Sequence, residues 1–445
     1  MSRLIMAWIF LALTVAVPGL TGVDSVAAAA PADQMIRVGL WDNQQSVLIS
    51  ADSDFVFTGG RGEAGKFSAK EKAAVTAKDG SLAINGKTIN QTQVTVKIQK
   101  ADGVLEVNRR KYRGQMTIKV STGETGVTVI NTIPLEQYLY GIVAREVSPD
   151  WPAEAIKAQA VAARSYALHN KNKHGKDGYD VCATTDCQVY SGVESEAVRT
   201  SKAVDDTKGL VLTYKNAVIP AFFHSSSGGY TENSENVWGT PFPYLKGVKD
   251  FDDRSPHYQW KKEITPKDFT ALLAKAGYTI GDIQSLSVSD LGKQPLSAPD
   301  RGVSGRVKSI KLTGSKGTVT VPGTRFRSLL GLSSTLFDVD IITSVPKVID
   351  VPMSDSRGEW GKKKIELNVK PVERTGNLAG EAAIHRIAGG KDEKILFTGY
   401  GWGHGLGMSQ WGAKAMAEQA PPGDKMYYKQ ILKHYYQGVD ITALY

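Results

Sequence analysis

The 445-residue chain has very little cysteine: Cys182 and Cys187 are the two it holds. A disulfide framework of the kind that staples small secreted domains is therefore excluded. Long apolar runs are scarce too. Beyond the first thirty residues, no stretch approaches the roughly 20 apolar residues needed to cross a bilayer. No internal repeat or low-complexity tract is present, and the 45 glycines follow no three-residue period, which rules out collagen. There is no G-x-S-x-G nucleophile elbow. The one glycine-dense run lacks the lysine of a phosphate-binding loop.

The residues that are present describe a globular, basic chain. Hydrophobic residues make up 41%, too many for a disordered chain. At about 150 residues per domain, the length suggests two or three domains. A core can form without staples, because chains of this size bury roughly three-quarters of their unfolded surface. Lys+Arg number 54 against 45 Asp+Glu, a net charge of +9 that points to an anionic partner or matrix. The cations are dispersed, with Lys362-Lys363-Lys364 among the few tight runs, which argues against nucleic acid.

The first thirty residues have the layout of an export signal. Arg3 supplies positive charge, Leu4 to Val17 form an apolar run, and Ala27 to Ala30 offer a small-residue cleavage site. The expectation is a secreted, extracytoplasmic protein. An uncleaved N-terminal membrane anchor is the alternative. The mature chain would keep its +9, since removing residues 1–30 takes away Arg3 and Asp24 together.

Patterning predicts an α+β fold: strand-rich and antiparallel, with a helical segment carrying the candidate catalytic glutamate. Residues 31–130 alternate as strands separated by turn signals. Asn85-Gly86 is the clearest hairpin turn. Residues 131–250 form the central region. Pro134 opens one helix, through Leu135, Tyr138, Leu139, Ile142 and Val143. Pro152 opens a second, whose stripe of Ala153, Ile156, Ala160, Ala163 and Ala167 predicts very close packing of another element on that face. Residues 251–445 form a mixed C-terminal region completing the site. It carries an insertion at 354–390 and a closing helix over residues 427–436.

Four places could carry chemistry. Glu146, at the corner between the two helices, would have its pKa raised by burial, as a general acid requires; otherwise it is a solvated charge paired with Arg145. His224 to Tyr230, with Ser226, Ser227, Gly228 and Gly229, would offer hydrogen bonds to sugar hydroxyls or form an ordinary Ser/Gly turn. In the run Gly399 to Ala413, alternate glycines would let a ligand approach the backbone, with Trp402 and Trp411 as stacking faces; the alternative is a tight turn into the next helix. Cys182 and Cys187 make a C-x4-C pair. In an exported chain a local disulfide is the simpler reading, and a zinc half-site completed by His169, His174 or Asp186 is the other.

Taken together, these segments resemble the stage II sporulation protein D family, which includes the amidase enhancer proteins of bacterial cell walls. The resemblance is carried by Ile133 to Val143, Glu146, Lys157 to Ala167, Asp186 to Tyr190, His224 to Tyr230 with Val237-Trp238-Gly239, and Gly401 to Ala413. It implies a lytic transglycosylase acting on peptidoglycan glycan strands stripped of peptide, with Glu146 as the single acid and base. Gln159, Arg164, His224, Ser226, Ser227, Gly228, Gly229, His404, Gln410 and Trp411 are then expected substrate contacts. No cofactor is required by that mechanism. The resemblance also implies zinc near Cys182 and Cys187, with a histidine just before the second cysteine. That position is Asp186 here, which leaves His174 as the ligand. The amidase enhancers imply a different role: a non-catalytic wall-binding protein that stimulates a partner amidase.

Overall fold

The computed structural model describes residues 34–100, 102–123, 125–342, 348–355, 358–366, 382–390 and 392–445. The expected signal segment, 1–30, lies outside them. The fold is α+β and strand-rich, with mainly antiparallel pairing.

The N-terminal third forms two sheets around one core. The larger has seven strands in the order Val181–Cys182, Met35–Gln44, Val127–Pro134, Gln115–Val120, Gln93–Ile98, Phe55–Gly59 and Gly62–Phe67. The second has six, with Val47–Ala51 and Ala73–Lys78 at its centre. Inward residues of both, among them Val38, Ile49, Val75, Val96 and Ile118, share one core, as strict alternation requires. Asn85 and Gly86 both take positive φ between Ser81–Ile84 and Lys87–Thr88, the type I′ geometry their sequence predicts.

Eight helices stand among the described residues: α1 (Leu135–Glu146), α2 (Ala153–His169), α3 (Val198–Asp205), α4 (Ser234–Trp238), α5 (Pro266–Lys275), α6 (Gly323–Leu330), α7 (Gln410–Glu418) and α8 (Tyr428–Tyr435). Each proline predicted to open a helix caps one: Pro134 precedes α1 and Pro152 precedes α2. The prediction for α2 was too narrow. Thirteen of its 17 residues are buried, not one stripe of them. Ala160, Ala163 and Ala167 join the N-terminal core, while Ala155, Ala158 and Ala162 join a second core with α7 and α8. Alanine on both faces lets α2 run between two cores with backbone close on each side.

A third core gathers Phe269, Phe326, Phe337 and Phe397 under the C-terminal sheets. Strand Lys394–Tyr400 lies between Gln259–Ile264 and Phe337–Ile342 and delivers the chain into the glycine run. At the start of the stretch expected as an insertion, 354–390, residues 348–355 and 358–366 pair with each other as a hairpin. Ala382–Arg386 joins the edge of a four-stranded sheet beside Ile283–Ser289. No described helix is long and apolar enough to cross a membrane.

Candidate active site

A short parallel pairing assembles the site. Phe223–His224 lies beside Met408–Ser409, which brings the serine loop and the glycine run together over the end of α1. The glycines serve this junction. Gly401 and Gly407 have φ of 72° and 66°. A Cβ on Gly401 would stand 2.6 Å from the Ser226 carbonyl oxygen, and one on Gly407 would stand 2.1 Å from that of Phe222. Both positions are thus closed to side chains by the neighbouring backbone. The spare room is taken by protein, which corrects the expectation that this backbone is open to a ligand there.

Glu146 is the last residue of α1, with Val147 extended after it. It borders a cleft of about 340 Å³ lined also by Tyr166, Thr185, Cys187, Gln188, Val189, Phe222, Phe223, Trp238 and His404. It is the one carboxylic acid in that lining. Burial raises its pKa above the ordinary glutamate value, opposed by one hydrogen bond from Gln410 and by the charge of Arg145. Gln410 Nε2 donates to Glu146 Oε2 at 3.0 Å and lies 3.5 Å from Gln159 Oε1. The helix C-terminus adds no donor for the carboxylate and disfavours negative charge.

The histidines beside the cleft are neutral. Burial, with the nearby charge of Arg306, lowers His404 to about 3. His404 Nδ1 accepts the Leu406 N–H at 3.0 Å. His224 is pushed well below the usual histidine value, mainly by burial and then by His404. Its Nδ1 bonds the Leu406 carbonyl at 3.1 Å, which makes Nδ1 the protonated nitrogen. Trp238, 44% exposed, stands against Phe222 at 4.4 Å and His404 at 5.2 Å.

A second cluster borders the same cleft through Cys187. His174, Cys182, Asp186 and Cys187 place one ligand atom each within 4.8 Å of one another. His174 Nε2 is 3.5 Å from Cys187 Sγ and 3.2 Å from Asp186 Oδ2. Cys182 Sγ is 3.8 Å from the same oxygen. The expected disulfide is not formed: both cysteines are free thiols. Cys187 Sγ accepts the Cys182 backbone N–H at 3.2 Å, and Cys182 Sγ meets Thr184 and Asp186, so each sulfur is engaged by other groups. Burial pushes the Cys187 thiol up to about 12. Lys173 Nζ, 2.9 Å from Asp186 Oδ2, helps hold that carboxyl below the usual aspartate value. Two sulfurs, an imidazole and a carboxylate are the donor types of a tetrahedral zinc site, and such a metal would displace the thiol protons.

Several expected contacts are placed elsewhere. Arg164 is fully buried and corrects the expectation of a substrate contact. Its Nε and NH2 donate to Glu136 Oε1 and Oε2 at 2.9 and 2.6 Å, and the guanidinium also reaches the Leu210 and Val204 carbonyls. Gln159 is likewise fully buried and can touch Glu146's neighbour but not a ligand. Ser226 and Ser227 are fully buried and donate to Asp252 and Asp250 at 2.5 Å each. The Gly228 and Gly229 N–H groups donate to Asp252, both at 2.9 Å. The serine loop is therefore tied down from within, and its donors are not free for sugar. Trp411 packs edge-on against Trp151 at 5.1 Å with Lys414 over its ring at 4.8 Å, so that face is covered. Trp402 stays 48% exposed beside His257.

Sequence reading missed Tyr166, Phe222, Phe223 and Gln188 as cleft residues. It also missed Asp250 and Asp252 as anchors. Two acids in Lys249-Asp250-Phe251-Asp252, following a loop of unpaired donors, are the signal that was available.

Comparisons with known proteins place the chain in a family. The family described as SpoIID, Stage II sporulation protein, matches residues 123–214, which hold Glu146 and the Cys/His/Asp cluster. Stage II sporulation protein D of Bacillus subtilis is 30% identical over 351 residues, covering 74% of this chain and 82% of the relative. The protein of that name from Bacillus amyloliquefaciens is 30% identical over 341 residues, covering 73% and 79%. The Amidase enhancer of Bacillus subtilis is 33% identical over 311 residues, 68% of this chain but 40% of that protein. The chain belongs to the stage II sporulation protein D family.

Proposed function

We propose that this protein is a peptidoglycan lytic transglycosylase that cuts glycan strands using Glu146 as its only acid and base. The observation that carries the reading is the lone carboxyl in the cleft lining, whose pKa is raised above the ordinary glutamate value by burial. Hydrolytic glycosidases ordinarily need two carboxyl groups, one of them to activate water or attack the sugar. One suffices when the nucleophile belongs to the substrate. Protonated Glu146 gives its proton to the glycosidic oxygen as that bond breaks. The resulting carboxylate takes the proton from the muramyl C6 hydroxyl, whose oxygen bonds to the anomeric carbon of the same sugar. The products are a 1,6-anhydro end and a free hydroxyl on the departing sugar; no water is consumed, and Glu146 regains its proton.

The aromatic wall of Phe222, Phe223 and Trp238 suits the apolar faces of sugar rings. The lining contains no lysine or arginine to meet the carboxylates of stem peptides, which favours peptide-stripped glycan. The site would act outside the cytoplasm, where its substrate lies, with the N-terminal segment as the export signal. Zinc would be held by His174, Cys182, Asp186 and Cys187, and its chemistry there is to bind the thiolates and fix the loop that forms one cleft wall. Metal analysis of the purified protein tests that set: a full equivalent of zinc is expected, and its absence after purification with zinc present would reject it.

The relation to an amidase enhancer favours a second reading, wall binding that stimulates an amidase. One experiment separates the two. Purified peptide-free glycan is digested with wild type and Glu146→Ala, and the ends are read by mass spectrometry. The lytic reading expects 1,6-anhydro ends from wild type and a loss of about 10²–10⁴-fold in the variant. Equal activity in Glu146→Ala would sink it. An inactive wild type that still stimulates an amidase would establish the other reading.

A further inference from the structure

The two oxygens of Glu146 are treated unequally. Oε2 accepts the Gln410 amide at 3.0 Å, while Oε1 has no hydrogen-bond partner among the described residues. Gln410 is the first residue of α7, and the turn beneath it is fixed by Ser409, whose Oγ accepts the Gly412 N–H at 3.2 Å. The same Nε2 lies 3.5 Å from Gln159 Oε1. Gln159 is fully buried on α2, and its own Nε2 has no partner. A buried amide nitrogen left unpaired is unfavourable, so this arrangement needs a reason. The reason lies in what it does to Gln410. Two acceptors facing one nitrogen leave that amide a single orientation, because a flip would set its oxygen against both of theirs.

We propose that Gln410 is a positioning residue that pins Oε2 of Glu146 and so leaves Oε1 as the oxygen for proton transfer, and that Gln159 holds Gln410 in its donor orientation. This rests on the lytic reading above and moves both glutamines from substrate contact to support of the acid. The other titratable groups are one that acts on the charge of Glu146 and three that line its cleft. Arg145 comes from its own helix, Tyr166 from α2, Cys187 from the metal-ligand cluster and His404 from the glycine run. Of these, Arg145 carries charge at neutral pH; His404 is neutral, and burial keeps Tyr166 and Cys187 protonated.

The test uses the full chain with ¹³C-labelled glutamate carboxyls, the Glu146 signal being assigned from Glu146→Gln. Gln410→Met should move the Glu146 titration midpoint upward by about one pH unit, since the anion loses its donor. In glycan digestion the same variant should lose about tenfold or more in kcat, with KM within about twofold of wild type. Gln159→Met should shift both in the same direction by less. An unchanged midpoint in Gln410→Met overturns the proposal, and so does a rise in KM with kcat intact, which would mark a substrate contact. If Gln410→Met loses its near-ultraviolet circular dichroism, Gln159→Met decides on the same readouts. A wild type that leaves glycan uncut would end the lytic reading, while the titration would still decide whether Gln410 governs the carboxyl.

Discussion

Helix α1 carries a glutamate at each end, Glu136 buried and Glu146 half-buried, and the two are handled in opposite ways. Glu136, in the first turn, receives both arms of Arg164, the backbone N–H of Gly209 and the hydroxyl of Tyr445. It also lies at the end of the helix where negative charge is favoured. Glu146, in the last turn, receives one amide N–H and lies at the end where negative charge is disfavoured. A carboxyl that holds a fold together is surrounded until its charge is matched. Glu146, the acid and base of the proposed reaction, is left short of donors. The same contrast recurs in the serine loop, where Asp252 takes two N–H groups and a hydroxyl and serves structure.

The sharpest break of that comparison is to strip Glu136 of its partner. Arg164→Met leaves a buried carboxylate without its guanidinium, which is expected to cost about 3–5 kcal/mol of stability. Chemical denaturation followed by circular dichroism measures it. Replacing both partners at once, Glu136→Leu with Arg164→Met, should recover most of the loss, because no buried charge is then left uncompensated. A single variant within about 1 kcal/mol of wild type would mean that the pair does not hold α1 against α2 and the 210–214 strand.

How far the sequence reveals this contrast depends on the range of the interactions. The prolines opening α1 and α2, the Asn85-Gly86 hairpin and the place of Glu146 at a helical corner are local, and residue type and spacing expose them. The partners are not local. Arg164 and Glu136 are 28 positions apart, and Gln410 lies 264 positions from Glu146. Arg164, Ser226 and Ser227 have the chemistry of ligand contacts, and sequence alone could not show that Glu136, Asp252 and Asp250 consume it. The alanine stripe of α2 revealed close packing, but not that both faces are packed. Compartment and spacing favour a disulfide between the two cysteines over a zinc half-site. Tertiary placement instead leaves both thiols free and brings His174 and Asp186 within 4.8 Å of them, a cluster that could hold a metal.

The smaller test concerns Glu146 itself. Its pKa is raised in the folded chain, so folding favours the protonated form. Well below the ordinary glutamate value of 4.5, both folded and unfolded states hold the proton and the site costs the fold nothing. As pH rises past that value the unfolded chain ionises first, and stability falls until the folded pKa is passed. Above the folded pKa the whole cost is present. Glu146→Gln keeps an acceptor for Gln410 and removes the charge at every pH. It should therefore melt slightly higher than wild type at pH 7, by the order of one or two degrees for a chain of this size. The advantage should close as the pH is lowered toward 4. Paired thermal scans across that range measure it. A variant less stable than wild type at pH 7 would show that Glu146, like Glu136, is matched by its surroundings, and the two ends of α1 would no longer differ in kind.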